Sequence, residues 1–180
     1  MKKILLFIWE TLKIVVVALA IVIPIRYFLF QPFLVRGQSM EPNFKDGNYL
    51  LVDEISYRFR SPQRGEVIVF RYPKDLSQRF IKRIIGLPGE TVEVKDGRII
   101  IYNEKGSVVL NEANYLSLST TSGNLRFSLG GDEYFVLGDN RDFSYDSRRF
   151  GVLPKGDIIG RVFLRAWPFN ALSEIKTPAY

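Results

Sequence analysis

The chain has 180 residues, 47% of them hydrophobic and 24% charged, which fits one modest folded domain plus an apolar terminal segment. It contains no cysteine, which excludes disulfides, thiolate metal sites and cysteine nucleophiles, and no histidine, which removes the commonest general base and metal ligand. The net charge of +6 comes from scattered basic residues with no nucleic-acid-binding motif, so it reads as solvated surface charge with an attraction to anionic lipid, not as a nucleic-acid site.

The N-terminus begins with Lys2 and Lys3, then Ile4 to Trp9, with Glu10 and Lys13 interrupting. Ile14 to Ile25 runs without a charge, followed by Arg26, Tyr27 to Phe30 and Gln31-Pro32. A bilayer core takes about 20 mainly apolar residues in a helix. Arg26 is able to snorkel, which brings Tyr27 to Phe30 into the span. Residues 14–30 are therefore predicted to be a single transmembrane anchor, with Pro24 a candidate kink. Lys2, Lys3 and Lys13 favour a cytoplasmic segment 1–13 and an extracytoplasmic domain 31–180, in a cell-membrane protein. A cleavable signal peptide competes with this reading through Ala18-Leu19-Ala20. That triplet, however, lies inside the apolar run, with Ile21-Val22-Ile23 directly after it, whereas a processing site follows such a run.

After Phe33 short β-rich runs alternate with Gly, Pro, Asn and Asp turns. The predicted strands are Tyr49 to Asp53, Glu66 to Arg71, Arg79 to Ile85, Thr91 to Val94, Arg98 to Tyr102, Glu133 to Leu137 and Asp157 to Ala166. Lys95-Asp96-Gly97 predicts a hairpin, because Asp-Gly supports a two-residue turn with positive φ, and Gly86-Leu87-Pro88-Gly89 predicts a second tight turn. No long helical period appears. The domain is predicted to be mainly β, with coiled antiparallel sheets, and the polar stretch 103–131, with its Ser/Thr cluster at 117–122, reads as a small cap-like excursion.

Three segments carry candidate chemistry. Ser39 lies in Gly37-Gln38-Ser39-Met40-Glu41-Pro42, where Gly37 and Pro42 favour a defined turn that presents a hydroxyl beside backbone N–H groups. Lys82 lies in Phe80-Ile81-Lys82-Arg83-Ile84-Ile85. Strand alternation gives it Phe80 and Ile84 as neighbours on its own face, so its amine is a candidate for desolvation. A serine nucleophile needs a base, and without histidine a lysine is the leading candidate. A lysine base has to fall from about 10.4 to about 7 or 8, a change of about 4 kcal/mol. The third segment, Gly138 to Gly151, is dense in Asp, Arg and Ser. Its Asn140, Asp142, Ser144 and Asp146 suggest a calcium loop, but Tyr145 and Gly151 stand where a Gly and a bidentate Glu are needed, so no metal is expected.

These segments, in this order behind an apolar N-terminus, resemble bacterial type I signal peptidases from about Tyr27 to Ala166. Arg64-Gly65-Glu66-Val67-Ile68-Val69-Phe70 and the continuation Gly86-Leu87-Pro88-Gly89-Glu90 add to the match. The resemblance implies a membrane-anchored serine endopeptidase, without cofactor, that removes signal peptides from exported preproteins after an Ala-x-Ala site. It implies Ser39 as nucleophile and Lys82 as base, with Ser144 orienting the lysine. It further implies an Asp146–Arg148 pair, an Asp139–Arg83 pair, and Val35, Met40, Phe44, Phe80 and Ile81 lining pockets for small side chains. Gly37 departs from relatives that place an oxyanion-binding serine there. The alternative reading is an inactive, membrane-tethered β domain that binds exported peptides. Trp167-Pro168-Phe169 reads equally as an interfacial anchor or as core packing.

Overall fold

The computed structural model describes residues 2–28, 30–116, 120–178 and 180, and their side chains outside residues 5 and 21–30. The chain opens with helix α1 (Lys2–Phe28), whose described side chains are all exposed. Among the described residues no helix is long and apolar enough to cross a membrane, and the second half of the predicted anchor, residues 21–30, has its side chains outside that description. Residues 117–119 of the Ser/Thr cluster also lie outside the described residues.

Among the described residues twelve strands follow: β1 (Phe30–Leu34), β2 (Tyr49–Asp53), β3 (Val67–Tyr72), β4 (Asp75–Gly86), β5 (Thr91–Lys95), β6 (Arg98–Asn103), β7 (Gly106–Val109), β8 (Leu125–Ser128), β9 (Glu133–Leu137), β10 (Leu153–Pro154), β11 (Ile158–Trp167) and β12 (Ser173–Glu174). After α1 the described helices are short, α2 (Ser56–Phe59) and α3 (Ser147–Phe150) with two 3₁₀ turns. The larger sheet has the order β1-β2-β11-β3-β4-β9-β10, with β12 on β11; the smaller has the order β7-β6-β5-β8. All strand pairs are antiparallel. The fold is mainly β, and the stretch 103–131 supplies β7 and β8 to the smaller sheet.

Local chemistry explains the connections. β5 and β6 close through Asp96 (φ 50°) and Gly97 (φ 76°), the two positive-φ positions of a twist-matched hairpin turn. β3 and β4 close through Pro73-Lys74, since Tyr72 and Asp75 are register partners. β1 tolerates Pro32 because it is the terminal strand and needs no ladder on its outer side.

The interior is divided by strand alternation. In β3, Val67 and Val69 join a cluster with Val35, Met40, Phe44 and Ile81, while Ile68 and Phe70 join Ile84, Tyr134 and Val136. A third cluster, with Ile85, Phe135 and Leu137, sits under the smaller sheet. Each such side chain taken from water contributes about 1.5–3 kcal/mol. Trp167 and Phe169 are not core residues. Both rings are exposed, and they meet edge to face at 4.7 Å.

Candidate active site

Ser39 is carried by the loop between β1 and β2. The loop's ends are tied by Val35 N–H to Asn48 O (2.9 Å) and Gly47 N–H to Val35 O (3.0 Å). Its middle is a helical turn, with Phe44 N–H on Met40 O at 2.9 Å. Val35, Met40 and Phe44 anchor this loop from below, each at most 2% exposed. Gly37 has φ +86° and donates its N–H to Asp46 Oδ1 at 2.7 Å. That φ strains any residue with a side chain, which accounts for a glycine here.

Lys82 comes from the centre of β4, opposite Ile68 of β3. It is 4% exposed, and its Nζ lies 5.5 Å from the Phe80 ring centroid. The ammonium donates to Ser39 Oγ at 2.7 Å and to Ile81 O at 2.8 Å. Burial pushes the amine down to about 8, against the opposing pull of the Asp146 and Asp139 carboxylates. A hydroxyl and a buried amine of lowered pKa thus lie within one hydrogen bond of each other.

The loop after β9 holds both partners. Asn140 N–H donates to Ser39 O at 3.0 Å. Asp139 accepts from Arg83 Nε (2.8 Å) and Nη2 (2.6 Å) in a pair that excludes water almost completely. Asp146 accepts from Arg148 Nε at 2.9 Å and from Gly138 N–H at 3.1 Å, closing the loop on its own start. Ser144 is 5% exposed, and its hydroxyl makes no hydrogen bond among the described residues, to Lys82 or to any other group. It packs against Gly138, where a Cβ would overlap both Ser144 Oγ and the Ser39 carbonyl oxygen. Gly138→Ala is therefore expected to push the Ser39 loop outward and to cost about 1–3 kcal/mol of stability by overpacking. Urea unfolding read beside activity checks this; an Ala variant with parental values for both contradicts the contact.

A cleft of about 450 Å³ opens over the pair, between β1 (Phe33, Leu34) and β4 (Phe80, Ile81). Of the five apolar positions expected to line a pocket, Phe80 and Ile81 do so. Val35, Met40 and Phe44 lie in the core beneath, because their neighbourhood to Ser39 in sequence turns their side chains inward. Phe33, Leu34, Phe143 and Tyr145 line the cleft instead.

Other supports had no local signal. Asn43 Nδ2 bridges Asp139 Oδ2 (2.8 Å) and Tyr115 O (2.9 Å), and Arg165 Nη1 holds Asn43 O at 3.0 Å. Arg141 makes a bidentate pair with Glu112, both bonds at 2.7 Å, and also donates to Thr121 Oγ1. This pair ties the loop after β9 to the segment between β7 and β8.

Comparison with known proteins adds identity to this geometry. The family profile described as "Signal peptidase, peptidase S26" matches residues 8–167. The chain belongs to the signal peptidase family. A signal peptidase I of Leptolyngbya laminosa is 37% identical over 176 residues, spanning 94% of this chain and 84% of that protein. Signal peptidase IB of Staphylococcus aureus is 33% identical over 192 residues, spanning 99% and 97%. Among solved structures, a signal peptidase I from Enterococcus faecalis V583 is 34% identical, with a TM-score of 0.47, over 57% of this chain and 97% of that one. The chain is thus a hydrolase, a serine endopeptidase of the signal peptidase I type.

Proposed function

We propose that this protein removes signal peptides from exported preproteins with a Ser39–Lys82 dyad. The observation that carries the reading is the 2.7 Å contact between Lys82 Nζ and Ser39 Oγ, made by a lysine whose pKa burial lowers to about 8. In its neutral form the amine takes the Ser39 proton as Oγ attacks the scissile carbonyl. The resulting ammonium then protonates the departing amine as the C–N bond breaks, leaving an acyl-Ser39 ester. Water, deprotonated by the same amine, hydrolyses that ester. With no hydroxyl at Gly37, the donor that faces the developing oxyanion is the Ser39 N–H, which has no hydrogen-bond partner among the described residues.

The substrate lies extended in the cleft. Among the described residues β1 has a strand neighbour on one side only, and β4 pairs with β9 only from Arg83 onward. Two strand edges therefore face each other across the cleft and offer main-chain hydrogen bonds to a peptide. The residues before the scissile bond occupy this cleft, with the two alanines of an Ala-x-Ala site against Phe80 and Ile81.

Helix α1 is the membrane anchor in this reading. The segment proposed to span is 14–30, in which Ile14 to Ile25 carries no charge and a snorkelling Arg26 brings in Tyr27 to Phe30. Residues 14–25 are apolar on every face, which favours a span over a surface helix for that stretch. Lys2, Lys3 and Lys13 support a cytoplasmic N-terminus and an extracytoplasmic catalytic domain. The exposed Trp167 and Phe169 suit the bilayer interface.

The testing experiment is cleavage of a preprotein with an Ala-x-Ala junction by the detergent-solubilised full chain, followed across pH. Activity is expected to rise with pH through an apparent midpoint near 8, as Lys82 loses its proton. A midpoint near that of free lysine, or no cleavage at any pH, defeats the dyad as drawn.

A further inference from the structure

Two concavities on either side of the Ser39–Glu41 segment differ in their unpaired charge. The cleft between β1 and β4 is lined by Arg36 and Arg79 in addition to Lys82, and by no carboxylate. A second cavity, about 340 Å³, is lined by Asp139 and Arg141, which are paired with Arg83 and Glu112, and by Glu41 and Asp142, two residues past Ser39 and one before Phe143, which have no such pair among the described residues. Residues 39–41 and 142–143 thus form the ridge between the two.

The arginines are not occupied by the fold. Arg36 and Arg79 are exposed, and their side chains make no ion pair or hydrogen bond among the described residues. Arg79 is also the direct register partner of Arg71 across β3 and β4. Like charges directly opposite on a sheet are destabilising, so this placement needs a reason outside strand pairing. An anionic group on the ligand that fills the cleft supplies one.

Strand geometry locates that group. Arg79 precedes Lys82 by three residues, about 10 Å along β4 at about 3.3 Å per residue. In an extended peptide whose first and third residues before the scissile bond face Phe80 and Ile81, the second and fourth point outward to the cleft rim. We infer that Arg36 and Arg79 select preproteins carrying an acidic residue at the fourth position before the scissile bond, and more weakly at the second. The inference rests on the proposed placement of the upstream arm in this cleft. Glu41 and Asp142 oppose an acidic residue on the other arm, just after the bond, so the preference is directional.

The test uses matched preproteins with Glu, Gln or Lys at the fourth position before the junction, and again at the second position after it. The full chain is assayed in neutral detergent at low salt. Exposed ion pairs are worth up to about 1 kcal/mol, so the parent is expected to cut the upstream Glu substrate about fivefold faster, in kcat/KM, than the Lys substrate. Salt at about 0.5 M is expected to erase the difference. Arg36→Gln/Arg79→Gln is expected to bring the Glu/Lys ratio to one, and Arg79→Glu to invert it. The ratio is the readout, since damage to the fold slows all three substrates alike. The downstream series is expected to show no gain from Glu. An upstream ratio of one in the parent, or a ratio that survives the double substitution, overturns the inference. A preference that appears only in vesicles containing phosphatidylglycerol also overturns it, by assigning the arginines to the bilayer. If the Gln substrate is cut no faster than by Ser39→Ala, the cleavage reading itself fails, which is a separate outcome.

Discussion

Replacing Lys82 by Met is expected to lower kcat for preprotein cleavage by about 10²–10⁴-fold, the range for loss of a positioned general base. Ser39→Ala is expected to fall at least as far. If the two side chains act as one unit, the double variant is no slower than the worse single one. Multiplying losses would mean that they work in separate steps. The same Lys82→Met change has a second, opposite consequence for stability. The Lys82 amine titrates near 8 in the folded chain, against 10.5 for a lysine free in water, the value that stands for the unfolded chain. Between those values the unfolded chain binds more protons, so stability rises with pH across that window. Below pH 8 the full cost of holding the buried ammonium is present, about 3 kcal/mol at about 1.4 kcal/mol per pH unit. Methionine keeps the apolar stem without the charge. Lys82→Met is therefore expected to unfold at higher urea than the parent at pH 7, with the gap narrowing as pH rises past 8. An inactive variant that is also less stable at pH 7 would make Lys82 a structural residue.

That opposition, a less active but more stable variant, separates a site residue from a core residue, and it follows from a feature readable in the chain. Alternation along 80–85 gives Lys82 apolar company, and the fold delivers it, with Phe80 beneath the amine and Ile81 turned into the cluster below the Ser39 loop. β2 and β9 run over the predicted residues because each is a short apolar run bounded by turn formers. Elsewhere the local pattern was silent. β4 begins at Asp75, four residues before the predicted start at Arg79, because a Pro73-Lys74 turn brings polar residues into register with β3. β7 is exposed along its whole length and β8 along half of it, so they carry little hydrophobic signal and exist by pairing with β6 and β5. Glu112 and Arg141 meet across 29 residues, and no local spacing announces such a pair. The pocket shows the converse error. The family resemblance implied Val35, Met40 and Phe44 as lining residues, whereas a loop must bury some of its side chains to hold another one out.

Asp139→Ala is expected to cost about 3–5 kcal/mol of stability, because it strands a guanidinium in the interior. The Arg83 and Asp139 side chains are 4% and 0% exposed, and the carboxylate also accepts from Asn43 in the Ser39 loop at 2.8 Å. The loss is therefore larger than that of a surface pair, whose median is about 0–1 kcal/mol. Arg83→Met combined with Asp139→Leu is expected to recover part of it, since neither ion is then left alone. Asp139→Asn, which keeps the shape and one acceptor oxygen, isolates the electrostatic role. The Asp139 carboxylate raises the Lys82 amine toward its charged form, second to Asp146 and against the larger effect of burial. Removing that charge lets burial dominate further, so the pH–rate midpoint of Asp139→Asn is expected below that of the parent, with a greater neutral fraction at pH 7. Its maximal rate is expected to fall, because Asn43 and the loop carrying Ser39 lose a charged acceptor. A midpoint that stays put or moves upward would mean that Lys82 does not feel Asp139, and that the buried pair serves the fold alone. A downward shift with a reduced plateau would tie the ion pair to the amine through charge and to the nucleophile through position.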